Sequence, residues 1–232
     1  MSDVHSNLEA LDAVLEDARR RLNSFGHVVN LGDTVGYGAN PDEVINRISS
    51  CGPRVDSILG NHDSAVLTGD VLWFNELAAQ GVNWTRLHVS NESKRFLAGL
   101  PTLIRFNLES ISVYAVHGSP WDHLNEYVFP GDALLFAQDF LDVTKADVVL
   151  LGHTHVPMIV EVKERDGLII NPGSVGQSRD GIPLASYGVL SCEDGRARFE
   201  VFRVEYDFEK AAAKILSAGL PGFFAARLVR GI

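Results

Sequence analysis

Histidines, aspartates and an asparagine recur in this 232-residue chain directly after short apolar runs. Ile58-Leu59-Gly60 leads into Asn61-His62-Asp63, and Val28-Val29-Asn30-Leu31-Gly32 leads into Asp33. Val113-Tyr114-Ala115-Val116 leads into His117-Gly118, and Val148-Val149-Leu150-Leu151-Gly152 leads into His153-Thr154-His155. Ser2-Asp3-Val4-His5 repeats the alternation of the last of these. An apolar, β-branched run that stops at Gly or Asn reads as a buried strand reaching a loop. Open α/β sheets bind ligands beyond the carboxyl ends of their strands, so five such ends can converge on one place. Asp3, His5, Asp33, Asn61, His117, His153 and His155 would bring there a mixed set of oxygen and imidazole donors without thiolate. Those donors suit Mn, Fe, Co, Ni or Zn and argue against a structural zinc site.

Seven ligands exceed what one transition metal takes, and they suffice for two divalent ions if a carboxylate bridges. Asp33 is the natural bridge. Two dications less Asp3, Asp33 and a shared hydroxide leave about +1, a charge that fits an anionic electrophile such as a phosphate ester. Taken singly, each residue also has an ordinary reading: Asp33 as a turn residue, Asn61 as a cap. His27, His88 and His123 show that histidines occur here without that placement. The metal reading rests on the joint occurrence.

The elements that must position these residues follow from periodicity. Leu8, Leu11, Val14, Leu15, Ala18 and Leu22 predict a helix opened by Asn7, with Arg19, Arg20 and Arg21 favouring its C-terminal dipole. Strand 28–31 follows, then a helix with Asn40 as N-cap and Pro41 at its first position, then strand 55–59. Two such β-α-β steps predict a parallel sheet with right-handed crossovers. Residues 64–100 read as irregular helix, with Trp73, Phe74 and Trp84 as core or wall. A hairpin of 103–108 and 111–116 precedes a lid-like loop from Ser119, a helix over 132–141 and strand 147–151. Beyond them, strands at 158–163, 168–171, 187–191 and 196–204 predict a second, more antiparallel sheet, and Asp207 caps a final helix ending at Gly219.

Composition narrows the classes. The chain carries 20 basic against 30 acidic side chains, a net −10 that opposes non-specific binding to nucleic acid or anionic membrane. Cys51 and Cys192 lack metal-site spacing and read as reduced, partly buried thiols. No stretch approaches the roughly 18 apolar residues of a membrane span, and no secretory signal is recognisable, so the expectation is a cytoplasmic protein.

Taken together, Asp3-x-His5, Gly32-Asp33, Gly60-Asn61-His62-Asp63, His117-Gly118 and Gly152-His153-Thr154-His155 resemble the calcineurin-like metallophosphoesterase superfamily, in the same order along almost the whole chain. Gly36-Tyr37-Gly38 with Asn40-Pro41-Asp42-Glu43, His117-Gly118-Ser119-Pro120 with Asn125-Glu126-Tyr127, and Asn171-Pro172-Gly173-Ser174-Val175-Gly176-Gln177 resemble its small prokaryotic phosphodiesterase-like branch. The resemblance implies one metallophosphoesterase domain over residues 1–232. Its implied α/β fold is a four-layered αββα sandwich of two mixed β-sheets flanked by helices. It implies two divalent transition-metal ions (Mn, Fe, Zn, Co or Ni), one on Asp3, His5, Asp33 and His155, the other on Asp33, Asn61, His117 and His153. By the same resemblance a bridging hydroxide attacks phosphorus in line. His62 stabilises the transferring group and protonates the leaving oxygen, a role its near-neutral reference pKa permits. The bland alternative for His62 is a loop histidine bonded to backbone. Asn7 stands open between helix cap and substrate contact, while Asn171 and Ser174 shape a loop. Tyr37, Trp121, Asn125 and Tyr127 are candidate contacts to a small phosphorylated substrate or phosphodiester.

Two departures matter. The serine/threonine protein phosphatase branch places Asp and Arg three and four residues after the bridging aspartate, where this chain has Gly36 and Tyr37. Phosphodiesterase activity is therefore favoured over a phosphomonoesterase or protein phosphatase, and over a non-catalytic interaction module such as the retromer subunit of similar fold. The family's first motif also ends a full apolar strand, whereas only Met1 and Ser2 precede Asp3. With this as the true start, Asp3 and His5 are expected to be loosely held at a free terminus; the alternative expectation is an incomplete start.

Overall fold

The computed structural model describes residues 1–22, 26–52 and 54–232. Helix α1 (Leu8–Arg21) is capped by the Asn7 side chain, which accepts from the Ala10 amide, and its Leu11, Val14, Leu15 and Ala18 stripe is buried. Strand β1 (His27–Asn30), helix α2 (Pro41–Ser49) and strand β2 (Arg54–Ser57) form the expected parallel β-α-β step. Asn40 precedes α2 but makes no side-chain cap bond; its amide donates to Glu43 instead.

The irregular helical stretch resolves into α3 (Asn61–Thr68), α4 (Glu76–His88) and α5 (Asn91–Ala98). Left-handed Gly69 ends the first, and Asn75 and Ser90 cap the other two through their side chains. Trp73, expected in core or wall, is 89% exposed in the α3–α4 connection, because the adjacent Phe74 turns inward in its place.

Strands β3 (Leu103–Leu108) and β4 (Ile111–Val116) form the expected hairpin, followed by α6 (Pro130–Thr144), β5 (Val148–Leu150), β6 (Met158–Val162) and β7 (Gly167–Asn171). These strands make one mixed sheet in the order β3-β4-β5-β7-β6. Its two faces separate residue by residue, as a period of two requires. Val113, Ala115, Val148, Leu150, Leu168 and Ile170 point into the core between sheets, while Tyr114, Val116, Val149, Leu151 and Ile169 pack under α6.

The second layer is assembled from short pieces. The Leu31 amide donates to Met1 (3.0 Å) and the Asp3 amide to Gly32 (3.0 Å). On the other side, the amides of Val175 and Gly176 donate to Ser2 and Asp3 (both 2.9 Å). Ser186 then joins Ser174 to the antiparallel pair β8 (Ala185–Glu193) and β9 (Arg196–Val204). The first residues thus lie inside a layer, hydrogen-bonded on both sides. Asp3 and His5 are 0% and 1% exposed, which corrects the expectation that they are loosely held. Helices α1 and α2 cover this layer, completing an αββα sandwich, and α7 (Phe208–Ser217) packs on α1.

A further helix, α8 (Gly222–Arg230), follows Pro221, where the sequence reading stopped. Proline ends one helix and equally well starts another, since its fixed φ and missing N–H cost nothing at a helix N-terminus. Phe224, Ala225 and Leu228 of α8 are buried, and the Phe224 ring lies 4.9 Å from that of Tyr37.

Candidate metal centre

All seven expected ligands meet at the carboxyl ends of these strands. Asp3, His5 and Asp33 come from the second layer, Asn61 from the first turn of α3, and His117, His153 and His155 from the ends of β4 and β5. The donor atoms of Asp3, His5 and His155 lie within 4.8 Å of one another, as do those of Asp33, His117 and His153. His5, Asp33 and His62 form a third such group.

Backbone geometry shows what this costs. Asp3, His5, Asp33, His153 and His155 all take positive φ, between 48° and 68°. Non-glycine residues there cost on the order of 1 kcal/mol each, a strain that persists only where the surroundings over-determine it. Close approach demands glycine at Gly60, where an added Cβ would stand 2.1 Å from both the amide nitrogen and a carboxylate oxygen of Asp33.

Hydrogen bonding orients every donor. The Nδ1–H groups of His5, His117 and His155 face the carbonyls of Val35 (3.2 Å), Leu31 (2.8 Å) and Gln177 (2.5 Å). That leaves Nε2 of each ring for the centre, the outer-shell arrangement typical of metal-ligating histidine. His153 does the reverse, giving Nε2 to the Asn125 carbonyl at 3.2 Å and leaving Nδ1. Each aspartate commits one oxygen to backbone: Asp3 Oδ2 accepts from His153 (3.1 Å) and Asp33 Oδ1 from His62 (2.8 Å). The other oxygens, Asp3 Oδ1 and Asp33 Oδ2, are buried and have no hydrogen-bond partner. Asp33 Oδ2 lies 3.4 Å from His117 Nε2 and 3.6 Å from His5 Nε2, and Asp3 Oδ1 lies 3.3 Å from His155 Nε2.

Ligation needs ionised carboxylates and neutral imidazoles, and every titratable ligand except His117 takes that state. Burial pushes Asp3 and Asp33 up, but the neighbouring histidines more than offset it and hold both below the ordinary carboxylate range. Burial lowers His5 and His155, and takes His153 down to about 3. His117 moves the other way, to about 9, since Asp33 outweighs its burial. Two buried carboxylate oxygens facing several imidazole nitrogens cost several kcal/mol unless a cation compensates them, so this donor set fits metal ions.

His62 is not a loop residue. It occupies the first turn of α3, with its ring 4.5 Å from Tyr37, 4.8 Å from His5 and 4.8 Å from Phe74, and with Nδ1 buried and unpartnered. Burial pushes its pKa from the near-neutral reference value down to about 4. Asp63 ties the loop after β1 to the loop after β2, accepting from the amides of Thr34, Val35 and Gly60.

The expected substrate contacts divide. Tyr127 stacks on His153 with ring centroids 3.8 Å apart. Asn125 reaches the centre only through its carbonyl, since its amide bonds Asp122. Trp121 packs on Phe136 and Phe140 of α6, because apolar rings there offer more burial than the polar centre does. Asn7 spends its side chain on the α1 cap and on the Gly176 carbonyl (2.9 Å). Asn171 and Ser174 brace the surrounding loops, bonding Gly152 and Asp3 respectively. Arg179, which the sequence reading missed, reaches the Tyr37 hydroxyl at 3.3 Å. No residue-type signal marks it; only its position two residues beyond Gln177 does.

The family model described as the calcineurin-like phosphoesterase superfamily domain matches residues 1–195. An uncharacterized protein of Methanocaldococcus jannaschii is 38% identical over an alignment covering 100% of this chain and 96% of that protein. A crystal structure of a metallophosphoesterase from Sphaerobacter thermophilus aligns with a TM-score of 0.83 at 33% identity, covering 100% of this chain and 97% of that one. A hypothetical protein of Pyrococcus horikoshii aligns with a TM-score of 0.87 at 21% identity over the same shares, which supports the fold.

Proposed function

The chain belongs to the calcineurin-like phosphoesterase superfamily, and from that premise we propose that it is a dimetal-dependent phosphoesterase acting on small phosphodiesters. One observation carries the proposal: Asp3 Oδ1 and Asp33 Oδ2 are buried without partners among imidazole nitrogens delivered by two different layers. In this reading Asp3, His5, Asp33 and His155 hold one ion, and Asp33, Asn61, His117 and His153 the other. Bound divalent ions supply a lowered water pKa and positive charge for the phosphoryl oxygens.

The chain's own groups do the rest. The carbonyls of Val35, Leu31, Gln177 and Asn125 fix ring tautomers, so the donor nitrogens need no reorganisation. His62, neutral and walled by Tyr37 and Phe74, offers an N–H to the oxygen that gains charge as the ester bond breaks. The diester preference rests on Gly36 and Tyr37, which supply neither the carboxylate nor the arginine of a protein phosphatase.

The test is turnover of bis(p-nitrophenyl) phosphate and p-nitrophenyl phosphate with Mn, Fe, Co, Ni or Zn, alongside metal analysis of the purified protein. Two bound ions and faster diester cleavage are expected. Faster monoester cleavage overturns the diester preference, and no turnover with any of the five metals overturns the enzymatic reading.

A further inference from the structure

Two arginines flank Asp180 in space and are used very differently. Arg203 is spent on structure: it pairs with the Asp180 carboxylate and also donates to Ser178 Oγ (3.0 Å) and to the carbonyls of Ile182 (3.0 Å) and Leu184 (3.1 Å). Arg179 is spent on almost nothing. Of its five N–H donors, only those on Nη2 have partners: the Tyr37 hydroxyl at 3.3 Å and Gln177 Oε1 at 3.4 Å. Both are long for a charged donor. Its Nε is buried without a partner, and it forms no ion pair among the described residues.

The backbone around Arg179 is nonetheless held tightly. The Gln177 carbonyl accepts from His155 and its amide donates to Ser174 Oγ. Ser178 Oγ donates to Asp180 at 2.6 Å, and Asp180 is the partner of Arg203. Residues 177, 178 and 180 are therefore committed, and the side chain between them is positioned without being satisfied. It approaches the metal centre through Tyr37, with its guanidinium carbon 5.9 Å from the centroid of that ring. The Tyr37 ring it approaches lies 4.6 Å from the ring of His5 and 4.5 Å from that of His62.

A fork of unpaired donors beside a cation-binding centre is suited to a bidentate oxyanion. We propose, on the basis of the phosphoesterase reading above, that Arg179 grips a non-bridging oxygen of the substrate's phosphoryl group, with the Tyr37 hydroxyl as its companion. Residue 37 is where the protein phosphatase branch carries its phosphate-clamping arginine. Here Tyr37 occupies that position, and the guanidinium arrives at its hydroxyl from 142 residues further along the chain.

Inorganic phosphate serves as the probe, used with the full chain loaded with Mn. R179A should raise KM and the phosphate inhibition constant by about 10- to 100-fold, as loss of a charged hydrogen bond predicts, with a smaller change in kcat. R179K should recover part of the loss, since it keeps the charge without the fork, and added guanidinium should restore R179A further. Melting temperature should stay within a few degrees of wild type; should R179A melt lower, R179K and the guanidinium rescue carry the test. An active wild type whose KM and phosphate inhibition change less than twofold in R179A overturns the assignment. Should wild type turn over no ester, the phosphoesterase reading fails. Calorimetric titration of phosphate into the Mn-loaded protein then decides Arg179 separately: equal affinity in wild type and R179A removes it.

Discussion

The two layers of the sandwich bring different chemistry to their shared edge. The five-stranded sheet contributes only imidazoles, His117, His153 and His155, on loops following β4 and β5. The layer built from residues 1–3, β1 and β2 contributes both carboxylates and the amide: Asp3 and Asp33 directly, and Asn61 at the start of α3 after β2, together with His5. The first sheet is held by its own continuous ladder. The second has two separate ladders, β1–β2 and β8–β9, joined through residues 1–3 and 174–176 by single bonds, and glycines such as Gly60 allow backbone contact beside it. Neither layer holds a complete ligand set. Cations bound between them would cross-link the sheets, so metal affinity and layer packing should share one free energy.

Removing the residue that faces both sides tests this most severely. Asp33→Asn should bring metal-dependent ester turnover below detection while leaving the far-ultraviolet dichroism unchanged; unchanged turnover would refute the bridge. Gly60→Ala strikes the layer whose ladders are not continuous, and should destabilise the protein by about 3 kcal/mol or more, seen as a lower denaturation midpoint, because backbone must move to admit the methyl. Stripping metal with a chelator should cost about 3 kcal/mol per ion held at 100 times its dissociation constant. For a chain of this size that lowers the melting temperature by about 6–12 °C per ion. His117→Ala and His155→Ala should each reduce bound metal from two ions to one, read by metal analysis, since the two rings belong to different donor groups.

The smallest effect lies outside the centre, in the covering of the second layer. Asp17 of α1 accepts from Tyr187 of β8 (2.9 Å) and from Arg21 (2.6 Å). Burial raises its pKa, yet those two bonds lower it further, and the net shift is downward. A depressed carboxylate contributes stability above its unfolded value, near about pH 4, and loses it as pH falls through the folded value. Asp17→Asn should therefore cost about 1 kcal/mol at pH 7 in chemical denaturation, with the difference from wild type vanishing under strong acid.

The strand-end pattern was enough to pick out Asp3, His5, Asp33, Asn61, His117, His153 and His155, because ligand chemistry restricts residue type and a parallel strand announces its own end. Periodicity likewise placed α1, α2, the β3–β4 hairpin and the strands of the mixed sheet, since one buried face imposes a period that sequence displays. What tertiary structure alone decided is whatever depends on neighbours distant in the chain. Residues 1–3 lie inside a layer because the chain around Leu31 and Gly176 bonds them on either side, although so short a run carries no periodic signal. His62 is neutral because Tyr37 and Phe74 enclose it, and Trp121 turns to α6 because Phe136 and Phe140 are there. Arg179 is an ordinary surface residue type until the fold sets it against Tyr37, for the charge surrounding a side chain is a property of packing and not of local sequence.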